Sequence, residues 1–332
     1  MKKLALICIS LILLILFINA CKPQELNEPF DEVSVQLKWI HQAQFAGLYV
    51  AQEKGYYSDE NIKINFIEGG AGLSLTEPLI NGTADFSIIS PEEIIVKRSE
   101  GLPLKAIATT YSRSPVIFAS MADSGIIHPD DFLGKTVSLV GQVEAEIEFY
   151  AMMRKLNLDI SKINLIKYNP DYTEFYNGDA DVSFAYIISG VSKMLQNGYE
   201  LNLIWPGDYG VKFYGDSLAV NENMISQNPD LLTRFLRATL KGWEDAIGDS
   251  ESAVETTLKY TKVKNKNLQS AMMDAQVPLI NTGEDYIGWM KGEDWKLMYQ
   301  TLLEQKIINM PMDYNKLFTM EFLNKIYKDK AE

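Results

Sequence analysis

LINGTADFSII, from Leu79 to Ile89, and FYNGDADVSFA, from Phe175 to Ala185, share the pattern Asn-Gly-x-Ala-Asp-apolar-Ser, 96 residues apart. In each copy the Asn-Gly pair suits the end of a helix, because glycine enters the left-handed region without a Cβ clash, and the Asp then opens a buried strand. The recurrence predicts two similar α/β lobes with the same helix-to-strand turn. Working outward, short β-rich runs alternate with helix-length stretches: VSVQLKW from Val33, a helix around 45–55, IKINFIE from Ile62, a helix around 73–81, and ADFSIIS from Ala84. The alternation continues through LKAIATT, SPVIFAS, TVSLV, a helix near 144–156, INLIKY, a short helix near 172–177, DVSFAYI, LNLIW and SLAV. That is the mark of βαβ units with mostly parallel sheets. From Asn228 the chain turns helical, with Leu232, Phe235, Leu236, Leu240 and Trp243 forming one apolar stripe at helical spacing. Further helices are predicted near 250–261, 266–277, 293–307 and 315–327, wrapping the first lobe.

Composition narrows the function. At about 150 residues per domain, 332 residues suit two lobes, and 47% apolar with 23% charged residues is ordinary globular usage. A net charge of -13 repels phosphate backbones, so nucleic-acid binding is excluded as an expectation. Both cysteines, Cys8 and Cys21, precede the folded body, and His41 and His128 are the two histidines. Thiolate zinc, Fe-S and cysteine-nucleophile chemistry therefore have no residues to work with; composition leaves carboxylate-only Ca²⁺ or Mg²⁺ sites open, but no motif calls for one, and no metal or cofactor is expected. Nor is there a GxSxG, HExxH or supported SxxK arrangement for hydrolysis.

The amino terminus, MKKLALICISLILLILFINAC, places two lysines before a short apolar run and then Cys21. It reads as an export signal over 1–20, shorter than the roughly 20 apolar residues of a membrane span. Ile18, Asn19, Ala20 and Cys21 resemble a bacterial lipobox, which implies lipidation at Cys21 and a membrane tether; Asn19 departs from the usual pattern. Residues 21–32, polar with two prolines, read as the tether. After cleavage 29 basic side chains face 44 acidic ones, net -15, an argument against an anionic ligand.

Candidate site residues gather where strands end and helices begin. In LKWIHQAQFAGLYVAQEKGYY, from Leu37, these are Trp39, Gln42, Gln44 and Phe45 beside His41. This run, closing on Ala51, Glu53, Lys54, Gly55, Tyr56 and Tyr57, resembles the start of the periplasmic binding proteins that handle thiamine pyrimidine precursors and related compounds, the ThiY- and RibY-like branch, related to the sulfonate-binding SsuA proteins. Similar segments follow in order: GGAG at Gly69 to Gly72, a turn able to offer N–H groups to a ligand; Ser90, Pro91 and Glu92 at a strand end; YSRSPVIFAS from Tyr111; SGIIHPDDFLGKTVSLVG from Ser124, with His128 a turn residue; and YGVKFYGDSLAV from Tyr209.

The resemblance implies a two-lobed type II periplasmic-binding-protein fold, with lobe 1 formed by 33–114 and 215–332 and lobe 2 by 115–214. The hinge is expected near 111–116 and 208–216. It implies a monomeric, lipid-anchored capture subunit that works with an ABC permease and ATPase, and no enzyme activity. Aromatic faces at Trp39, Phe45, Tyr111, Tyr186, Trp205, Tyr209 and Tyr214 suit a flat heteroaromatic ring. Gln42, Gln44, Ser90, Glu92, Arg113, Gln142, Glu144 and Asp216 are the polar partners expected to satisfy its nitrogens or hydroxyls. Riboflavin, a thiamine pyrimidine precursor and another heteroaromatic metabolite stay open, with YGVKFYGD leaning toward flavin. A sensory receptor would share fold and pocket; the absence of a kinase or cyclase segment favours transport. Related enzymes that build the thiamine pyrimidine use a His at the position held here by Phe45, and a Cys-rich run that this body lacks.

Overall fold

In the computed structural model, which describes residues 29–331, the two Asn-Gly-x-Ala-Asp motifs occupy equivalent places in two mixed sheets. The signal segment, Cys21 and residues 21–28 of the tether lie outside the described residues. Sheet one contains β1 (Asp31–Gln36), β2 (Ile62–Ile67), β3 (Phe86–Ile89), β4 (Leu104–Thr109) and β10 (Ser217–Asn221), in the order β2-β1-β3-β10-β4. Sheet two contains β5 (Val116–Met121), β6 (Thr136–Val140), β7 (Asn164–Lys167), β8 (Val182–Tyr186) and β9 (Leu201–Ile204), in the order β7-β6-β8-β5-β9. The orders superimpose: each sheet has three parallel strands followed by one inserted antiparallel strand, β10 between β3 and β4, β5 between β8 and β9. The chain passes between the sheets through 110–115 and 205–216.

The motif explains its own recurrence. Gly82 and Gly178 sit at φ 77° and 79°, ending short helices in the left-handed region where a Cβ would be strained. Asp85 then exchanges two hydrogen bonds with Ser34, its carboxylate accepting from Ser34 N at 2.8 Å and its own N–H donating to Ser34 O at 2.9 Å. Asp181 does the same with Thr136 at 2.8 and 2.9 Å. Asp85 therefore locks the start of β3 to β1, and Asp181 the start of β8 to β6.

Helices cover both faces. α1 (Ala46–Glu53), α2 (Pro91–Ser99) and α3 (Val143–Lys155) connect strands, and α4 (Pro229–Gly248), α5 (Ser250–Tyr260), α6 (Lys266–Ile280), α7 (Gly292–Glu304) and α8 (Glu321–Ala331) form the carboxy-terminal run. The predicted stripe of α4 is buried: Phe235 stacks on Phe86 of β3 with ring centroids 3.8 Å apart, and Trp243 covers Gly47. α1 and α4 cross where Gly47 meets Gly242; a Cβ on Gly242 would lie 2.2 Å from Gly47 O. In sheet two, Phe118, Phe132 and Phe149 form the buried aromatic cluster beneath α3.

Three boundaries differ from the pattern reading. The last helix starts at Glu321 rather than near 315, because the backbone at Leu317 and Thr319 exchanges hydrogen bonds with Ala106 on the edge of β4 (both 2.9 Å). The helix expected from 73 begins at Glu77, next to Pro78, after the glycine-rich turn. α6 runs on to Ile280 through Pro278.

Candidate functional site

The carboxyl edges of the parallel strands in both sheets meet at one polar cluster. An antiparallel strand starts where its parallel neighbours finish, so the residues just before β5 and β10 join the same edge. Lys38, two residues past β1, reaches across: its Nζ lies 2.9 Å from Glu144 Oε1 in the first turn of α3, donates to Tyr186 OH at the end of β8 (2.7 Å), and meets Asp216 Oδ1 just before β10 (3.1 Å). Tyr186 OH also donates to Glu144 Oε2. Asp216 accepts from Gln44 Nε2 at 2.6 Å, and Gln44 Oε1 accepts from Gln42 Nε2 at 2.6 Å.

One buried cation thus serves several acids. Burial alone would lower the Lys38 ammonium, yet Glu144, Tyr186 and Asp216 outweigh it and hold Lys38 well above the ordinary lysine range. Asp216 moves in the opposite sense: burial raises its carboxyl despite the pull of Lys38 and the Gln44 hydrogen bond. The two directions agree physically, because a single ammonium cannot fully compensate every carboxylate that shares it.

Behind this cluster, at the crossover, lie two more carboxyls. Glu92, one residue into α2, and Glu148, one turn beyond Glu144 in α3, are 2% and 1% exposed. Ser114 Oγ donates to Glu148 Oε1 at 2.5 Å, while Glu148 Oε2 and Glu92 Oε2 have no hydrogen-bond partner. Burial first, then the charge of Glu144, pushes Glu92 up to about 8; burial and the charge of Glu92 raise Glu148 well above the carboxylate range.

The cluster thus gathers Gln42, Gln44, Glu144, Tyr186 and Asp216 among the residues singled out from sequence, with Glu92 behind it. Tyr111 stands beside it, fully buried, its hydroxyl donating to Gln276 Oε1 at 2.8 Å. Ser90 caps α2, accepting from Glu93 N at 3.4 Å. Phe45 is core, at 1% exposure, and Trp39 is half-buried against that core. Gln142 precedes α3, with its amide turned to Gly141 O.

Others point elsewhere. Arg113 lies 3.7 Å over the Trp205 ring and pairs with exposed Asp208 at 2.6 Å. Tyr209 meets His128 at 3.1 Å. Tyr214 donates to Asp294 of α7 at 2.8 Å and accepts from Lys291 N, on the carboxy-terminal helices. Gly69 spends its N–H on Trp39 O at 3.1 Å, and a Cβ there would lie 2.2 Å from Leu37 O, so this glycine serves close backbone approach.

Sequence reading misses Lys38, Glu148, Ser114 and two glutamines of α6. Gln276 donates to Ala43 O (2.6 Å) and Gln269 accepts from Ala43 N (2.8 Å), pinning the loop that carries Gln42 and Gln44. The one signal for Lys38 was its place at a strand's carboxyl end, in QLKW. Among the described residues no group of three or more His, Cys, Asp or Glu is placed to hold a metal ion.

The chain is 25% identical to the riboflavin-binding protein RibY of Chloroflexus aurantiacus, over 97% of this chain and 99% of that protein. It is 25% identical to the formylaminopyrimidine-binding protein of Halalkalibacterium halodurans (90% and 95% covered), and 22% identical to a 4-amino-5-hydroxymethyl-2-methylpyrimidine phosphate synthase of Legionella pneumophila (88% and 92%). Among solved structures, a putative periplasmic sulfonate-binding protein SsuA from Methylobacillus flagellatus shares the fold, with a TM-score of 0.71 at 15% identity over 92% of this chain and 96% of that one. Residues 42–253, more than half of the sequence, match the family model described as NMT1/THI5 like, and with the two mixed sheets this establishes that the chain belongs to the NMT1/THI5-like family and has the two-lobed periplasmic-binding-protein fold.

Proposed function

We propose that this chain is an extracytoplasmic solute-binding protein, tethered through lipidated Cys21, that captures a small heteroaromatic metabolite between its lobes and delivers it to an ABC permease and ATPase. The lobes are 33–114 with 215–332, and 115–214; the segments joining the sheets, 110–115 and 205–216, act as the hinge. The observation that carries the reading is the cluster of Lys38, Glu144, Tyr186, Asp216 and Gln44, built from the carboxyl edges of both sheets, the place where open α/β sheets receive ligands. Relatives named for riboflavin and for a formylaminopyrimidine support a flat nitrogen heterocycle as the ligand class. The synthase relatives do not carry their activity over: Phe45, where the resemblance puts those enzymes' His, is a buried apolar ring without proton chemistry.

A thermal-shift series on the full chain in detergent tests capture, using riboflavin, an aminopyrimidine and an alkanesulfonate. A ligand at 100 times its Kd adds about 2.7 kcal/mol to stability. Stabilisation by the alkanesulfonate alone would overturn the ligand class. Mass spectrometry of the amino terminus tests the tether, and an unmodified, uncleaved terminus refutes it.

A further inference from the structure

Lys38 and Gln44 both reach the inter-sheet cluster, and the chain between them has only one 3-10 turn, Ala43–Phe45, to order it. α6 pins this loop at Ala43 through Gln269 and Gln276. A second pin is His41. Its backbone N–H donates to Glu68 Oε1, just past β2, at 3.3 Å, and its ring Nδ1 lies 2.8 Å from the hydroxyl of Tyr49 in α1. Tyr49 is fully buried and fixed: its ring stacks on Tyr260 of α5 with centroids 4.2 Å apart and stands edge-on to Phe66 of β2 at 5.5 Å. Burial holds the Tyr49 phenol well above the ordinary tyrosine range, so it keeps its proton. The Gln42 N–H donates to the same oxygen, which leaves the hydroxyl hydrogen to His41. Nδ1 therefore accepts, and the ring proton of neutral His41 sits on Nε2.

We infer that His41 is a proton-sensing positioning residue: neutral, it accepts from Tyr49 and holds the loop of Gln42 and Gln44 in place; protonated, it releases that loop. Its consequence, weaker capture in acid, rests on the solute-capture reading above and adds a control to it. A proton on Nδ1 sets an N–H against an O–H. Tyr49 would then accept from both Gln42 and His41 while its own hydrogen went unpaired in the core, which is costly. His41 is half-buried and Tyr49 is sealed, so the imidazole yields and the loop loses its tie to α1. The charges around the ring leave this preference standing. Burial lowers the imidazolium most, the Glu68 carboxylate raises it, and Lys262 lowers it again; Lys262 also pairs with Glu68 at 2.8 Å, so the nearest acid is already shared. Tyr260, 6.3 Å from His41, spends its hydroxyl on Glu53. The net direction is below the ordinary histidine range. A released His41 thus takes up a proton that the tied one refuses. The tie is complete above about pH 6.5 and is lost as pH falls through the lowered value.

The test compares the full chain in detergent with His41→Asn, whose Oδ1 stands where Nδ1 does and accepts from Tyr49 at every pH. Hydrogen exchange of peptides covering 38–45 is read on both proteins at the same pH, which cancels the pH dependence of intrinsic exchange. At pH 8 the two should exchange alike. At pH 5 the parent should exchange between threefold and about 30-fold faster, the upper limit being tenfold per unit over the roughly 1.5 units that separate pH 5 from an ordinary histidine. A histidine-selective nitrogen-15 spectrum of His128→Gln, which keeps His41 alone, should show Nδ1 unprotonated at pH 8. Calorimetric titrations with riboflavin and with 4-amino-5-hydroxymethyl-2-methylpyrimidine read the consequence. From pH 8 to pH 5 the parent should lose at least threefold more affinity than His41→Asn, which retains Glu92, Glu148 and Asp216 and so reports their titration. Equal exchange at pH 5, or a proton on Nδ1 at pH 8, overturns the sensing role; equal binding profiles overturn its effect on capture. If neither compound binds the parent at pH 8, the capture reading fails instead, and exchange and the nitrogen-15 spectrum still decide the role of His41.

Discussion

Replacing Lys38 by Met removes the cation around which the inter-sheet cluster is organised. The Lys38 side chain is 11% exposed and Asp216 2%, with ion-pair distances of 2.9 Å to Glu144 and 3.1 Å to Asp216. At an effective dielectric constant of about 20, each contact represents roughly 5 to 6 kcal/mol of gross attraction, most of it offset by the desolvation of three charged groups. The net cost of Lys38→Met comes chiefly from what remains: Asp216 and Glu144 lose compensation while Asp216 stays buried. Breaking buried pairs by removing one partner costs about 3–5 kcal/mol, and that loss is expected here at pH 7. Urea unfolding followed by tryptophan fluorescence and far-UV circular dichroism measures it. Two internal checks follow. Adding Asp216→Asn should restore a substantial part of the loss, and lowering the pH should shrink it, because burial already raises the Asp216 carboxyl and it takes up a proton early. A loss below about 1 kcal/mol at pH 7 would match an exposed ion pair and refute the view of Lys38 as a buried link between the sheets.

Further predictions concern the buried acid, the helix crossing and the repeated turn. Glu92 is raised from 4.5 to about 8 in the folded chain, so between those values the folded state holds a proton that the unfolded state releases. Stability should therefore fall as pH rises through that window, by up to roughly 5 kcal/mol, and an equally steep fall in Glu92→Met would count against the assignment. Gly242→Ala places a Cβ against Gly47 O and should cost about 1–3 kcal/mol by forcing α1 and α4 apart. Gly248→Ala, which meets nothing within 4 Å, should be neutral or slightly stabilising when both glycine variants are compared by urea unfolding. Asp85→Ala and Asp181→Ala each orphan one strand N–H, at Ser34 and Thr136, and should cost similar amounts, about 1–3 kcal/mol each by urea unfolding; a large cost in one alone would deny their equivalence.

Much of the fold was legible because its signals are local. The Asn-Gly turns announce themselves since Gly82 and Gly178 need left-handed backbone, and the stripe on α4 since its apolar side recurs at helical spacing. The start of α8 was misjudged because Leu317 and Thr319 are drawn into pairing with Ala106, a partner more than 200 residues away. The site was legible in part for a related reason. Residues at or just past a strand's carboxyl end lie on that edge of the sheet whatever their neighbours, which picks out Gln42, Gln44, Glu144 and Tyr186. The direction each side chain then takes depends on its partner: Tyr214 turns to Asp294, Tyr209 to His128, and Arg113 to Trp205 and Asp208.

Periodicity, turn chemistry and charge were enough to establish two similar α/β lobes, a helical carboxy-terminal run, a body without thiols and an acidic surface, since each depends on residues close together in the chain or on their sum. Tertiary structure alone decided that Lys38 is the buried cation, that Glu92 and Glu148 are each left with one buried, unpaired oxygen, and that Gln269 and Gln276 hold the loop of Gln42 and Gln44. Burial and pairing across 50 to 230 positions set the protonation and direction of those groups, and no short stretch of sequence contains both partners.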